Sequence, residues 1–345
     1  VDDVLRSRGK PGFSRNCEVP EFKHACLGGM YAMKNAVRFL HTDGAGSKAI
    51  VVCSDIAVYE LGSSGEPTQG AGAVAMLLEE NPQIAAVELD KSGSASDYRG
   101  VDFRKPIQYR NGSGCTVAAS NVPVFNGRYS TSCYIDEMQR ALEDMYGRRG
   151  ETATEIWNNL EAVFMHRPFR RMPENGWGMA WLFSLASDAA GHSQLRELSD
   201  AAGVDFDALL SEVAERPDVS QFGVLDKITN EAFPLLSKVL RAARGGDAWQ
   251  QAVRGKMQLG AAQMQELGNL YTGALPAWFA AGLEEAAAQN LDLAGKEVLL
   301  VGYGSGDASE AVPVKIMDGW KSAAGRINMS AAMANSINLE HEQYI

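Results

Sequence analysis

The chain has 345 residues, enough for one large domain or two joined ones with an ample core. Its 32 basic and 43 acidic side chains leave a net charge of −11, which argues against a broad phosphate-tracking surface and hence against nucleic acid as partner. Any anionic substrate must therefore be held by a local group of arginines or lysines.

No apolar run approaches the ~20 residues of a membrane span, so no membrane partner is expected. The charged start, Val1-Asp2-Asp3-Val4-Leu5-Arg6, has no signal-peptide core. It also lacks an initiator Met and reads like the middle of a helix, so the sequence is expected to begin inside a longer protein. The five cysteines (17, 26, 53, 115 and 133) are odd in number and widely spaced, with no Cys-x-x-Cys. That pattern fits neither a disulfide framework nor a zinc site, and it suits a reducing, cytoplasmic compartment. The five histidines show no ligand-like pairing, and no metal site is expected.

In chain order, the first strong signal is Phe22-Lys23-His24-Ala25-Cys26-Leu27-Gly28-Gly29. Met30, Met33, Val37 and Leu40 follow at helical spacing, which predicts a helix over Leu27 to Leu40. Cys26 thus lies at or beside a helix N-terminus, where unpaired N–H groups and the helix dipole favour thiolate; the alternative is a packing residue. Ala49 to Cys53 and Gly72 to Leu78 read as short buried strands, separated by the turn-rich Gly62 to Pro67. Residues 137–165 carry helical spacing. Residues 188–244 are charged and helical in pattern, with breaks at Gly203, Pro217 and Pro234. Asn269 to Ala274 then opens a helix-like run to Ala288, followed by the strand Glu297 to Val301.

The two ends are alike. Cys26 opens a helix with a strand following 24 residues later at Ile50, and Asn269 opens a helix with a strand 29 residues later at Val298. Two related helix–strand halves could face one another. Helices alternating with short buried strands indicate an α/β fold with covered sheets.

Three further segments carry chemistry. In Phe164-Met165-His166-Arg167-Pro168-Phe169-Arg170-Arg171, a His beside a Pro after a hydrophobic run suits a strand end opening into a cleft; the alternative is a core histidine. The paired arginines suit either a solvated face or a phosphate clamp. Asp55 to Tyr59 leads through Glu66-Pro67-Thr68-Gln69 to the small residues Gly70 to Ala73, which permit close backbone approach. Gly302-Tyr303-Gly304-Ser305-Gly306 follows a strand. Its spacing is not that of a dinucleotide fingerprint, and its N–H groups would serve equally as an oxyanion hole.

Taken together these segments resemble the hydroxymethylglutaryl-CoA synthase family of thiolase-like condensing enzymes. The resemblance rests on Ala25-Cys26-Leu27-Gly28-Gly29, Asp55-Ile56-Ala57-Val58-Tyr59 with Pro67-Thr68, and Asp102-Phe103 followed by Pro106. It continues through His166-Arg167-Pro168-Phe169, Gly268-Asn269-Leu270-Tyr271-Thr272 and Tyr303-Gly304-Ser305-Gly306, in the family's order from about Phe13 to Lys315. It implies an α/β thiolase-like fold of two similar halves in αβαβα layers, with residues 1–150 carrying the nucleophile and 151–345 holding a helical insertion around 188–244.

The resemblance further implies an acyltransferase whose Cys26 is acetylated by acetyl-CoA. The resulting enolate adds to acetoacetyl-CoA, and water then releases HMG-CoA for the mevalonate route to isoprenoids. His166 and Asn269 would orient the second substrate, and N–H groups at Cys26 and Ser305 would hold the oxyanion. Asp55, Tyr59, Thr68, Asp102, Phe103, Tyr271, Tyr303 and Gly304 would shape the pocket, and Arg170 and Arg171 would meet the CoA phosphates. The CoA thioesters are substrates and no cofactor is implied; a homodimer is. The family's Glu-Ser acid/base motif does not occur here, and its Glu is expected upstream of Val1. The nearest alternative is a β-branching enzyme acting on chains carried by an acyl carrier protein. One of another class is a non-catalytic scaffold.

Overall fold

The computed structural model describes residues 2–100, 102–104, 107–110, 113–114, 116–120, 122–223 and 232–344. Cys115 and the Lys105-Pro106 end of one motif lie outside the described residues. A short α1 (Asp2–Ser7) precedes α2 (Gly28–Leu40), β1 (Ala49–Ala57), β2 (Gly70–Leu78), β3 (Ala85–Val87) and β4 (Gly93–Ser96). Four short strands follow, β5 (Phe103–Arg104), β6 (Ile107–Arg110), β7 (Thr116–Ser120) and β8 (Val124–Phe125), paired as β5–β8 and β6–β7. Next come α3 (Gly127–Arg149), α4 (Ala153–Asn159), β9 (Leu160–Met165) and the helices α5 (Arg171–Ser187), α6 (His192–Ala202), α7 (Phe206–Glu215) and α8 (Pro234–Ala243). The chain continues through α9 (Asp247–Trp249), α10 (Ala261–Leu267), α11 (Ala274–Ala288), β10 (Glu297–Gly304) and β11 (Ala308–Ile316).

Local chemistry fixes several of these boundaries. The Asn126 side chain accepts from the N–H groups of Arg128 (3.1 Å) and Tyr129 (3.2 Å), capping α3. Thr152 and Glu155 close a capping box on α4. Helical spacing nevertheless does not persist to residue 165: β9 begins at Leu160. Leu160, Ala162, Val163, Phe164 and Met165 are all buried, so a fully covered strand continues the apolar content of the helix before it without a change of pattern. In the 188–244 region Gly203 ends α6 and Pro234 opens α8 as its first residue, where its missing N–H costs nothing.

Strands β3, β11, β10 and β9 pair in that order, with β4 also on β11. Strand β9 runs parallel to β10 and the other pairs are antiparallel. Strands β3 and β4 come from the first 150 residues, so both ends of the chain build this sheet. Strands β1 and β2 form a separate antiparallel ribbon, Ala49 opposite Leu78 through Ala57 opposite Gly70. The layers stack as ribbon, then α2 and α11, then the larger sheet, then α3. Strand β10 is buried on both faces from Val298 to Gly304. Strand β1 is not: Val51 and Cys53 face the helices, while Ile50, Val52 and Ile56 are exposed with Leu77 of β2. Its apolar run matched a two-sided strand, but helices cover only one face.

The repeat is plain in the fold. Helix α2, β1 and an antiparallel β2 are matched by α11, β10 and an antiparallel β11. The counterpart of Cys26 is Thr272 rather than Asn269. Each lies two residues before its helix, and each follows a non-glycine residue with positive φ, Ala25 at 41° and Tyr271 at 44°.

The Lys34 ammonium of α2 meets the Glu310 carboxylate of β11 at 2.5 Å, with both side chains buried. Two charges are thereby withdrawn from water, and each compensates the other. Lys34→Met is expected to cost about 3–5 kcal/mol, because it leaves a buried charge unpaired. The double substitution Lys34→Met with Glu310→Leu should recover most of that loss. Urea midpoints of the two variants check it; equal losses would show that packing, not charge pairing, is what the site supplies.

Candidate active site

A cavity of about 750 Å³ opens between the start of α2 and the β10–β11 turn. Its lining includes Cys26, Asp55, Tyr59, Thr68, Phe103, His166, Asn269, Tyr271, Tyr303 and Ser305. Ten of the residues singled out in the sequence thus meet at one place, although they are drawn from six separate stretches of chain. Cys26 is half-buried and packs, as do Phe103 and Phe125, against a small cluster of Ala57, Tyr59 and Tyr271. These rings meet edge to face, except for Phe103 and Phe125, which stack with centroids 5.9 Å apart. Such a wall keeps the thiol in a largely apolar setting with few mobile parts.

His166 directly follows β9, and its backbone N–H donates to the Val301 carbonyl at 2.8 Å. The side chain is 3% exposed, and burial pushes its pKa down to about 3. The imidazole is therefore neutral at physiological pH, and Nδ1 has no hydrogen-bond partner among the described residues. A neutral ring offers one donor and one acceptor to a carbonyl substrate. It is poorly suited to serve as a cationic partner for Cys26.

Asn269 is 2% exposed. Its Oδ1 accepts from the Tyr271 N–H at 2.9 Å and its Nδ2 donates to Tyr59 Oη at 3.2 Å. Burial raises the Tyr59 pKa, so the phenol stays protonated. Asp55 on β1 accepts from both the backbone N–H (3.1 Å) and the hydroxyl of Thr272. Asp55 is the one carboxylate lining the cavity among the described residues.

Three expectations shift. Asp102 does not line the cavity; it lies fully buried behind Tyr303, whose hydroxyl it meets at 3.0 Å. Gly302 and Gly304 belong to β10 rather than to a loop. A Cβ on Gly304 would stand 2.5 Å from the His24 carbonyl and 2.8 Å from Leu27 Cβ, so this glycine admits the Cys26 segment rather than cradling phosphate. Arg170 and Arg171 are exposed outside the cavity, and Arg170 pairs with Glu174 at 3.5 Å. They adjoin Phe169, a lining residue, and with Arg241 and Arg244 form a basic patch; burial and then, past the opposing Glu174, the charges of Arg171 and Arg241 lower the Arg244 pKa. Sequence reading did not single out Phe125, Ser130 or Met172, which also line the cavity; they carry no motif, only apolar or small surface.

Comparison with known proteins bears on family and fold. Residues 13–83 match the family model for the hydroxymethylglutaryl-coenzyme A synthase N terminal, and residues 234–344 match that for its C terminal. A hydroxymethylglutaryl-CoA synthase of Haloferax volcanii is 25% identical over 96% of this chain and 67% of its own length. That of Caenorhabditis elegans is 27% identical over 89% and 57%, and the human mitochondrial enzyme 27% over 90% and 55%. The chain thus spans roughly half to two thirds of the length of these relatives. Among solved structures, MvaS in complex with 3-hydroxy-3-methylglutaryl coenzyme A superposes with a TM-score of 0.69 at 23% identity, covering 99% of this chain and 68% of that one. The HMG synthase of the curacin pathway with its holo donor carrier protein gives 0.66 at 20% identity, covering 99% and 65%. These likenesses establish the thiolase-like fold. With both halves of the family signature in order along it, the chain belongs to the hydroxymethylglutaryl-CoA synthase family.

Proposed function

We propose that the chain condenses acetyl-CoA with acetoacetyl-CoA through an acetyl thioester on Cys26 and hydrolyses the adduct to 3-hydroxy-3-methylglutaryl-CoA. The observation that supports this most is the convergence of Cys26, His166, Asn269 and Ser305 on one aromatic-walled cavity in a chain of this family. The Cys26 thiolate attacks the acetyl thioester and the CoA thiol leaves. A base then takes a proton from the acetyl methyl, and the enolate carbon adds to the acceptor ketone. Water cleaves the thioester and returns the thiol. We assign no residue of this chain to the proton-removing step, because Asp55 is already engaged by Thr272.

In this reading neutral His166 donates a hydrogen bond to the acceptor's carbonyl, and Asn269 orients the acetoacetyl arm. N–H groups at Cys26 and Ser305 hold the oxyanion; one such donor is worth about 2.7–4 kcal/mol in comparable sites. The patch of Arg170, Arg171, Arg241 and Arg244 would meet the CoA phosphates beside the cavity. We place the protein in the cytoplasm, as a homodimer of the mevalonate route. A second reading has support in the curacin relative, solved with its donor carrier protein: an acyl carrier protein would then present the thioester, and the same arginines would face its acidic surface. No helix among the described residues is long and apolar enough to cross a membrane.

Intact-mass analysis separates these readings. One acetyl group should load from acetyl-CoA onto the wild type and none onto Cys26→Ala. The Cys53 and Cys133 thiols are pushed up by burial and should stay unmodified. Loading from acetyl-carrier protein alone would favour the second reading, and no loading from either donor would indicate a non-catalytic scaffold.

His166 makes two further expectations. His166→Ala should load acetyl at Cys26 at nearly the wild-type rate yet condense at least tenfold more slowly; an equal loss in both steps would make His166 the base that generates the thiolate. Separately, a histidine at about 3 when folded and near ~6.5 when unfolded leaves the unfolded state holding more protons between those values. Stability therefore rises with pH across that window and is fully present above it. Urea unfolding of His166→Asn from pH 4 to 7 should show a shallower dependence than the wild type.

A further inference from the structure

Behind Tyr303 and Ser305 lies a group of buried ionisable side chains that acyl transfer at Cys26 does not use. Asp102 is 0% exposed, Asp307 1% and Arg99 2%. Carboxylate oxygens of Asp102 and Asp307 and the Cys133 sulfur come within 4.8 Å of one another. The positive charge beside them is the Arg99 guanidinium, which lies 3.4 Å from Asp307, 2.5 Å from Asp136 and 3.2 Å from Glu137, with half-exposed Asp97 at 3.2 Å. Arg99 thus meets four carboxylates, three of them fully shielded from water, and of these Asp136 is shared with Arg140 at 3.1 Å and Arg216 at 4.0 Å.

Tyr303 ties the pair together. Its hydroxyl lies 3.0 Å from Asp102 Oδ2 and 2.9 Å from Asp307 Oδ1. A phenol has one proton to donate, and burial keeps it on Tyr303. One carboxyl accepts that proton. The other contact is attractive only if that carboxyl is itself protonated and donates to the phenol oxygen; otherwise two acceptors face each other in a dry interior.

The surroundings distinguish the two carboxyls. Asp307 has the Arg99 guanidinium on one oxygen and the Gly306 N–H on the other, both of which favour its charged form. Asp102 forms no ion pair among the described residues. We propose that Arg99, paired with Asp307, directs the proton to Asp102 and that the Asp307 carboxylate keeps it there, so that hydrogen bonds run from Asp102 to Tyr303 to Asp307 and a neutral acid stands behind the Ser305 wall of the cavity. Asp102 is then a positioning residue, as are Arg99 and Asp307.

The electrostatics agree with that geometry. Burial, then the Asp307 charge, pushes Asp102 up to about 7, while the hydroxyls of Ser130 and Ser305 pull the other way. The groups facing it from α3 are Cys133 and Tyr129, both raised by burial and neutral. Burial likewise raises Glu137 to about 7 against the pull of Arg99. The functional consequence rests on the acyl chemistry proposed above. Negative charge developing on a thioester oxygen near Ser305 would be opposed by an ionised Asp102 close behind it in a poorly screened interior.

Carbon-13 NMR of protein labelled at the aspartate side-chain carboxyl tests the assignment without any acyl reaction, and the label keeps Glu137 out of the spectrum. One buried aspartate should titrate near neutral pH in the wild type and be missing in Asp102→Asn. In Asp307→Asn it should move to lower pH, because a neighbouring negative charge is gone; in Arg99→Gln it should move to higher pH. If Arg99→Gln does not fold by circular dichroism, the two aspartate variants decide alone. A neutral-pH titration that survives in Asp102→Asn and vanishes in Asp307→Asn would place the proton on the wrong carboxyl, and its absence from the wild type would overturn the proposal. A second readout is the pH profile of condensation: its alkaline fall should be lost in Asp102→Asn, and an unchanged fall would remove the consequence for the oxyanion. Failure of Cys26 to load acetyl would remove the proposed function while leaving the NMR assignment intact.

Discussion

Everything around the cavity depends on how closely two helix starts can approach. At the beginning of α2, a Cβ on Gly29 would stand 2.6 Å from the Thr272 carbonyl oxygen and 2.7 Å from Cys53 Sγ. Any side chain there would force α2 away from the segment that leads into α11. With glycine the backbones meet, and Cys26 on one side and Asn269 and Tyr271 on the other open onto a shared space. The contact is repulsive at short range and apolar around it, so it has little room to slide; packed interiors resist displacements of even a methylene. The Lys34–Glu310 pair crosses from the same helix to β11 and fixes its rotation as well as its distance.

That approach determines the electrostatics that the site can offer. Helix starts supply partial positive charge without a titratable group, and the walls facing them are aromatic. In such a setting a histidine becomes neutral rather than cationic, and a tyrosine keeps its proton. Polar groups act here as fixed dipoles. Charge is concentrated one layer deeper, around Arg99, where α3 closes the sheet from the far side. Setting that ion cluster a layer behind a cavity whose lining holds one carboxylate, Asp55, limits how strongly the buried ions act on groups within the cavity.

Much of this was legible in the sequence because it is local. Cys26 before a helix, β10 as a buried run and the turn after it each rest on a few consecutive residues. What was hidden depends on distant packing. Residues 160–165 carry the same apolar content as the helix before them, and only their pairing with β10 makes them a strand. The exposure of Ile50, Val52 and Ile56 reflects which face of the ribbon is covered, a fact that alternation inside an all-apolar run cannot express. Arg99, Asp136, Glu137 and Asp307 look like ordinary charged residues in their own neighbourhoods; their burial follows from α3 lying across the sheet. Arg170 and Arg171 show the converse. Their adjacency suited either a solvated face or a phosphate clamp, and their place at the start of α5 leaves both exposed beside the cavity rather than in it.

The repeat explains why the two halves can divide the work. Ala25 and Tyr271 hold the same left-handed backbone, a conformation that costs non-glycine residues energy and persists only where surrounding structure imposes it. In each half this kink comes just before a helix begins. In one half the next residue is Cys26, which lines the cavity. In the other it is Thr272, whose N–H and hydroxyl are both committed to Asp55 on the opposite ribbon. The same local geometry thus presents a cavity-lining thiol from one side and, from the other, a hydrogen-bonded strut that ties the second half to the strand behind the first. The two halves share a frame and differ in the residue that follows the kink, and that difference lets one half line the cavity while the other anchors it.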